Sequence, residues 1–159
     1  MGDRTRMALR RHLKGFSRLT PRDRRLVVEA AAVLCAVRLL LYVVPFRWLT
    51  RRMKPARFER PETNAARRET IASIVAAVAG YVPCATCLTR SIALYAMLRR
   101  RRYPVVLLIG VGRDQAVPAS KGSFSAHAWV ETEDGTPLPG NSRLGSTPLL
   151  TVPSAVNHV

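Results

Sequence analysis

Residues 85–100 read Ala85-Thr86-Cys87-Leu88-Thr89-Arg90-Ser91-Ile92-Ala93-Leu94-Tyr95-Ala96-Met97-Leu98-Arg99-Arg100, and this stretch decides the fold. Thr86 carries the side-chain oxygen of an N-cap. From Cys87 onward, Leu88, Ile92 and Tyr95 form one stripe, and Ser91, Leu94 and Leu98 form another. That pattern predicts a helix over residues 87–100 buried on most sides. The basic run Arg99 to Arg102 complements the negative end of that helix and is expected to stay solvated. Cys87 then stands in the first turn, where unpaired backbone N–H groups favour a thiolate and can help to hold an oxyanion.

Downstream the period changes. Residues 105–111 are a short run rich in β-branched side chains, which predicts a central strand. Residues 112–122 read as a polar loop and residues 124–131 alternate as a second strand. Phe124, Ala126, Ala128 and Val130 fall on one face, and Ser125, His127, Trp129 and Glu131 on the other. Glu133-Asp134-Gly135 reads as a three-residue hairpin loop with Gly in the left-handed position. In that register Thr132 faces Thr136 and His127 faces Asn141, whose amide oxygen could accept from the imidazole and fix its tautomer. A two-residue Asp-Gly loop would shift the register by one and put Ser142 there instead. Asp134 itself sits at the turn tip, too far along the strand.

Upstream, Thr20-Pro21-Arg22-Asp23 has helix-start chemistry, and Pro45 should stop that helix at about residue 44. Residues 26–44 are almost wholly apolar, interrupted by Glu29 and Arg38. These two lie nine residues apart, on opposite sides of a helix, so a buried helix is expected rather than a membrane span. Peripheral membrane contact through this region and its arginines stays open. Phe46, Leu49 and Met53 suggest a short amphipathic continuation, and residues 54–61 a linker. Ile71, Ile74, Val75 and Val78 mark a further helix that Gly80 and Pro83 end. Helices first, then a cysteine-bearing helix, then an antiparallel sheet make an α+β fold.

The bulk numbers agree with one folded unit. A chain of 159 residues, 48% hydrophobic, can bury roughly 70% of its unfolded surface. Its net charge of +16 favours an acidic partner, whether nucleic acid, anionic lipid or acidic peptide. The three cysteines, Cys35, Cys84 and Cys87, offer no disulfide framework, and an apolar stretch behind about 25 residues of basic sequence does not fit a secretory signal. The expectation is an intracellular protein with reduced thiols. Cys84-x-x-Cys87 alone could be a redox pair or half a metal site, but no second pair exists to complete the latter. A lone Cys or a lone strand His is more often structural, and Trp129 and Tyr95 are expected to pack rather than to stack on a substrate. Spacing alone leaves a Cys–His hydrolase as one reading among several.

The residues Cys87-Leu88-Thr89-Arg90-Ser91-Ile92-Ala93-Leu94, then Val106-Leu107-Leu108-Ile109-Gly110-Val111 and Ala126-His127-Ala128-Trp129-Val130-Glu131, taken in this order, resemble the lasso peptide leader peptidases. The resemblance is close over residues 82–141 and one of character only before them. It implies a transglutaminase-like, papain-like cysteine protease fold, with residues 61–159 as the core and residues 1–60 as basic and apolar helices of the same compact unit. It implies Cys87 as nucleophile, His127 as general base, no cofactor and no metal. The family's third member is generally an aspartate downstream of the histidine. No Asp follows Asp134 here, so Asn141 in that role is a departure. The implied reaction removes the leader from a lasso precursor peptide in the cytoplasm, with a separate leader-binding protein and an ATP-dependent cyclase as partners. Two other readings are a basic adaptor for nucleic acid or anionic membrane, although no nucleic-acid motif is evident, and an acyl-transfer enzyme of the same fold.

Overall fold

The computed structural model describes residues 20–45, 48, 61–113, 124–139 and 147–152. Three helices, α1 (Pro21–Val43), α2 (Ala65–Ala79) and α3 (Cys87–Arg100), precede three strands, β1 (Val105–Arg113), β2 (Phe124–Thr132) and β3 (Thr147–Val152). This is the expected α+β order, with the helices beside a small antiparallel sheet.

Each helix starts where local chemistry dictates. The Thr20 hydroxyl accepts from the Asp23 N–H at 3.2 Å, Asn64 from the Arg67 N–H at 3.0 Å, and Thr86 from the Thr89 N–H at 3.2 Å. Every one satisfies a donor that the helix itself cannot. The end of α3 turns back sharply. Tyr103 N–H reaches the Leu98 carbonyl and Arg102 N–H the Arg99 carbonyl, while Arg102 takes a φ of 64°. These bonds make a Schellman cap, with Leu98 and Tyr103 buried as its apolar contact. Arginine here holds the left-handed position that glycine usually fills.

One core joins helices and sheet. Leu26, Ala30, Leu34 and Val37 of α1 belong to one buried cluster with Ile71 and Val75 of α2, the inner side of α3, and Val105, Leu107 and Val130 of the sheet. Full burial of a side chain such as Leu34 or Leu107 stabilises by about 1.5–3 kcal/mol. As expected, α3 is covered on most sides, with Ser91 through Tyr95, Met97 and Leu98 all buried.

α1 departs from the expectation of a buried helix. Only its inner stripe is covered, and Val28, Leu39, Tyr42 and Val43 are 62%, 65%, 88% and 69% exposed. Glu29 points inward and meets the α3 end, where Arg101 bonds it at 2.5 Å and Arg100 lies 3.1 Å away. Arg38, on the opposite side, is exposed. Arg101 also donates to the Met97 carbonyl at 2.9 Å, so this arginine complements the helix end as expected but is largely buried rather than solvated. The continuation expected over residues 46–54 and the linker over 54–61 fall almost wholly outside the described residues.

The sheet runs β2-β1-β3, so β1 is central as expected, and both pairings are antiparallel. β1 continues to Arg113, two residues beyond the run expected from sequence, because Gly112 and Arg113 still pair with Ser125 and Phe124. The loop beyond it lies outside the described residues. β3 has no counterpart among the elements expected from sequence. Pro148 speaks against a strand interior, but β3 is the exposed edge, where a missing N–H is tolerated. Its register against β1 shifts between Ile109 and Gly110, which leaves Leu149 as the extra residue of a bulge.

Candidate active site

Two contacts set α3 against β2. The Ser91 hydroxyl donates to the Ala128 carbonyl at 2.7 Å, and the Cys87 thiol, one turn earlier, lies 3.9 Å from the Ala126 carbonyl. Leu138 N–H donates to the Val130 carbonyl, so even-numbered residues of β2 direct their main-chain groups away from β1. The helix therefore runs along the outer edge of β2 and supplies donors to carbonyls that the sheet leaves over. Its N-terminal turn ends at Ala126, the residue before His127. The separation of forty positions between Cys87 and His127 is bridged in this way.

His127 is half-buried and stacks on Trp129, with centroids 6.0 Å apart and planes at 16°. Trp129 is fully buried, and its indole N–H donates to Glu131 Oε1 at 2.7 Å. His127, Trp129 and Glu131 share one face of the strand, so the carboxylate pins the indole and the indole supports the imidazole. Trp129 packs rather than offering a surface to a substrate, as expected, and Tyr95 is buried too. Burial pushes the Tyr95 phenol upward, against the opposing pull of Arg99, whose guanidinium lies over the ring at 5.7 Å.

Gly110 makes the arrangement possible. It pairs with His127 on one side and Pro148 on the other. A Cβ there would stand 2.1 Å from the Thr147 carbonyl oxygen and 3.0 Å from the outer carbon of the Trp129 indole. The β3 bulge brings backbone against Gly110, and the indole fills the space above it.

The hairpin after β2 adopts the three-residue register. Gly135 has a φ of 81°, Thr132 N–H donates to the Thr136 carbonyl, and Glu131 bridges Pro137. The two-residue alternative is excluded over residues 130–138. Asn141, assigned opposite His127 in this register, lies outside the described residues, so no complete Cys–His–Asn set is seen among the described residues. Asp134 is exposed at the tip, as expected. The Thr132 hydroxyl, followed by the Thr136 N–H, holds its carboxyl below the usual range. It braces the turn.

All three thiols are free, with Cys35 and Cys84 exposed and Cys87 half-buried. Cys84 takes a φ of 56°, a left-handed conformation rare for a side chain other than Gly or Asn. Among the described residues no three His, Cys, Asp or Glu side chains gather as a metal site.

A cysteine at a helix start, carried to a histidine-bearing antiparallel strand, narrows the families to which the chain can belong. The family model Transglut_core3, described as the transglutaminase-like superfamily, matches residues 31–151, about three quarters of the chain. The chain belongs to this family. Transglut_core3 is associated with lasso peptide biosynthesis gene clusters, and its match covers the helix of Cys87, β1, β2, all but the last residue of β3 and the second half of α1. No curated protein and no solved structure matches the chain.

Proposed function

We propose that this transglutaminase-like protein is a cysteine peptidase that removes the leader from a lasso precursor peptide. The observation that carries the proposal is the seating of Cys87, at the first turn of α3, against the residue that precedes His127. Family membership supplies the biosynthetic setting. Fold and dyad do not name the substrate by themselves.

The chemistry follows from the groups present. The Cys87 thiolate attacks the carbonyl carbon at the leader–core junction, with the displaced thiol proton held on His127. First-turn N–H groups of α3 face the developing oxyanion. Collapse of the tetrahedral intermediate breaks the C–N bond, and His127 gives its proton to the departing core amine. His127 then takes a proton from water, whose oxygen attacks the thioester, and the leader leaves as a carboxylic acid. Asn141 is assigned to orient His127. A separate leader-binding protein presents the precursor, and an ATP-dependent cyclase consumes the freed core in the cytoplasm. The domain division follows the same reading, with residues 61–159 as the catalytic core and the basic and apolar helices before residue 60 docked on it.

Mass spectrometry of a lasso precursor incubated with this protein and its leader-binding partner tests the reading. One cut at the leader–core junction, absent with Cys87→Ala, is expected. An intact precursor, with a folded enzyme and a partner shown to bind the leader, would turn the assignment toward acyl transfer on another substrate.

A further inference from the structure

Beyond Arg25, α1 is apolar around most of its circumference, with Glu29 and Arg38 as its only charges, yet only one stripe is fully buried in the core. Leu26, Ala30, Leu34 and Val37 face inward. The opposite stripe, Val28, Ala32, Cys35, Leu39, Tyr42 and Val43, is exposed along its whole length. At 1.5 Å per residue it extends about 22 Å. A continuous apolar strip of that length, unlike scattered surface hydrophobics, marks a contact surface.

Charge says what covers it. Residues 1–25 hold nine Lys and Arg against two Asp, and residues 47–60 hold six against one Glu. The apolar strip thus lies between two strongly basic stretches of sequence, with Arg24 and Arg25 at its own start. A second copy of this chain would bring the same basic flanks together at a net charge of +16 each, which repels. Nucleic acid would satisfy the arginines and leave the apolar strip in water. An anionic bilayer satisfies both, with headgroups for the flanks and the acyl boundary for the strip. Tyr42, 88% exposed, and Trp48, 56% exposed, stand at the C-terminal end of the strip, and their amphipathic rings suit the headgroup level.

We propose that α1 docks the protein on an anionic lipid surface, lying in the plane of the membrane on its Val28–Val43 face. By length and composition the helix could also cross a bilayer, but crossing would strip Leu26, Ala30, Leu34 and Val37 from the core. It would also break the bonds from Glu29 to the α3 end. Lying in the plane keeps both.

The test uses the full chain with vesicles of phosphatidylcholine alone and with phosphatidylserine added. The rate at which a maleimide alkylates Cys35, in the middle of the strip, is followed beside that of Cys84, outside it. Serine-lipid vesicles should sediment the protein and slow Cys35 alkylation at least tenfold while leaving Cys84 unchanged. Neutral vesicles should do neither, and high salt should release the protein. Leu39→Gln with Tyr42→Ser, both on the outer face, should reduce sedimentation at least tenfold with the fold intact by circular dichroism. Failure to sediment with anionic vesicles, or sedimentation that the double variant keeps, overturns the proposal. Protection of Cys35 by the leader-binding protein and not by vesicles also overturns it and makes the strip a protein-docking face. Precursor cleavage in detergent-free solution is independent of every one of these outcomes.

Discussion

The Ser91 hydroxyl donates to the Ala128 carbonyl at 2.7 Å from a fully buried position. This bond sets how far α3 slides along β2, and so where Cys87 comes to rest beside Ala126. Ser91→Ala leaves that acceptor without its donor and should cost about 1–3 kcal/mol, measured by urea unfolding. Turnover should fall further than the loss of folded protein explains. A variant equally stable and equally active as the parent would remove Ser91 from this role.

Glu131 reaches His127 through Trp129. Glu131→Gln keeps an oxygen that can accept from the indole N–H and should stay within about threefold of wild type in kcat, because a neutral hydrogen bond replaces a charged one. Glu131→Ala frees the ring, and kcat should drop about tenfold with KM little changed. That split is expected when a proton-transferring group is loosened while substrate binding stays intact. Equal losses for both variants would point to charge rather than positioning.

Gly110 leaves no room for a methyl group, since the nearest obstacle is the Thr147 backbone. Gly110→Ala should cost about 3 kcal/mol or more, read as a loss of soluble protein or a lower midpoint in denaturant. Arg102 presents the opposite case. Its left-handed backbone costs a non-glycine residue about 1–2 kcal/mol, partly offset by glycine's greater chain entropy. Arg102→Gly should therefore raise stability by about 0.5–1 kcal/mol.

Asp134 links the hairpin to pH. Its carboxyl is lowered in the fold by the Thr132 hydroxyl and the Thr136 N–H, so it stabilises the protein above its unfolded value. That contribution is lost as pH falls through the lower, folded value. Asp134→Asn should lower stability slightly at neutral pH, leave the acid end nearly unchanged and so flatten the acid limb between them, measured by thermal melts from about pH 7 down to about pH 2.

Much of the fold is legible in the sequence, for physical reasons that differ by element. Thr20 and Thr86 announce their helices because a cap is a local event. Glu133-Asp134-Gly135 announces the hairpin register because only one residue there readily accepts a positive φ. β3 is not legible, since Pro148 argues against a strand and the edge position that excuses it is a tertiary fact. The exposure of α1 is hidden too. An apolar stripe reads the same whether the core covers it or not, and only the packing of Leu26 through Val37 shows which side turned inward. The alternation in β2 marks the strand, yet Trp129 and Val130 are both buried, so alternation does not separate inside from outside. Asn141 stays an assignment from register.

Active-site labelling distinguishes Cys87, the proposed nucleophile, from the other two thiols. Cys35 and Cys84 are exposed whereas Cys87 is half-buried, so accessibility alone favours the other two. A leader peptide bearing a C-terminal electrophile, presented with the leader-binding partner, should form one adduct, on Cys87, and His127→Ala should slow it by about 100-fold or more. An adduct on Cys84 would make that thiol the nucleophile instead, and labelling of Cys87 that His127→Ala leaves unchanged would remove His127 as its base.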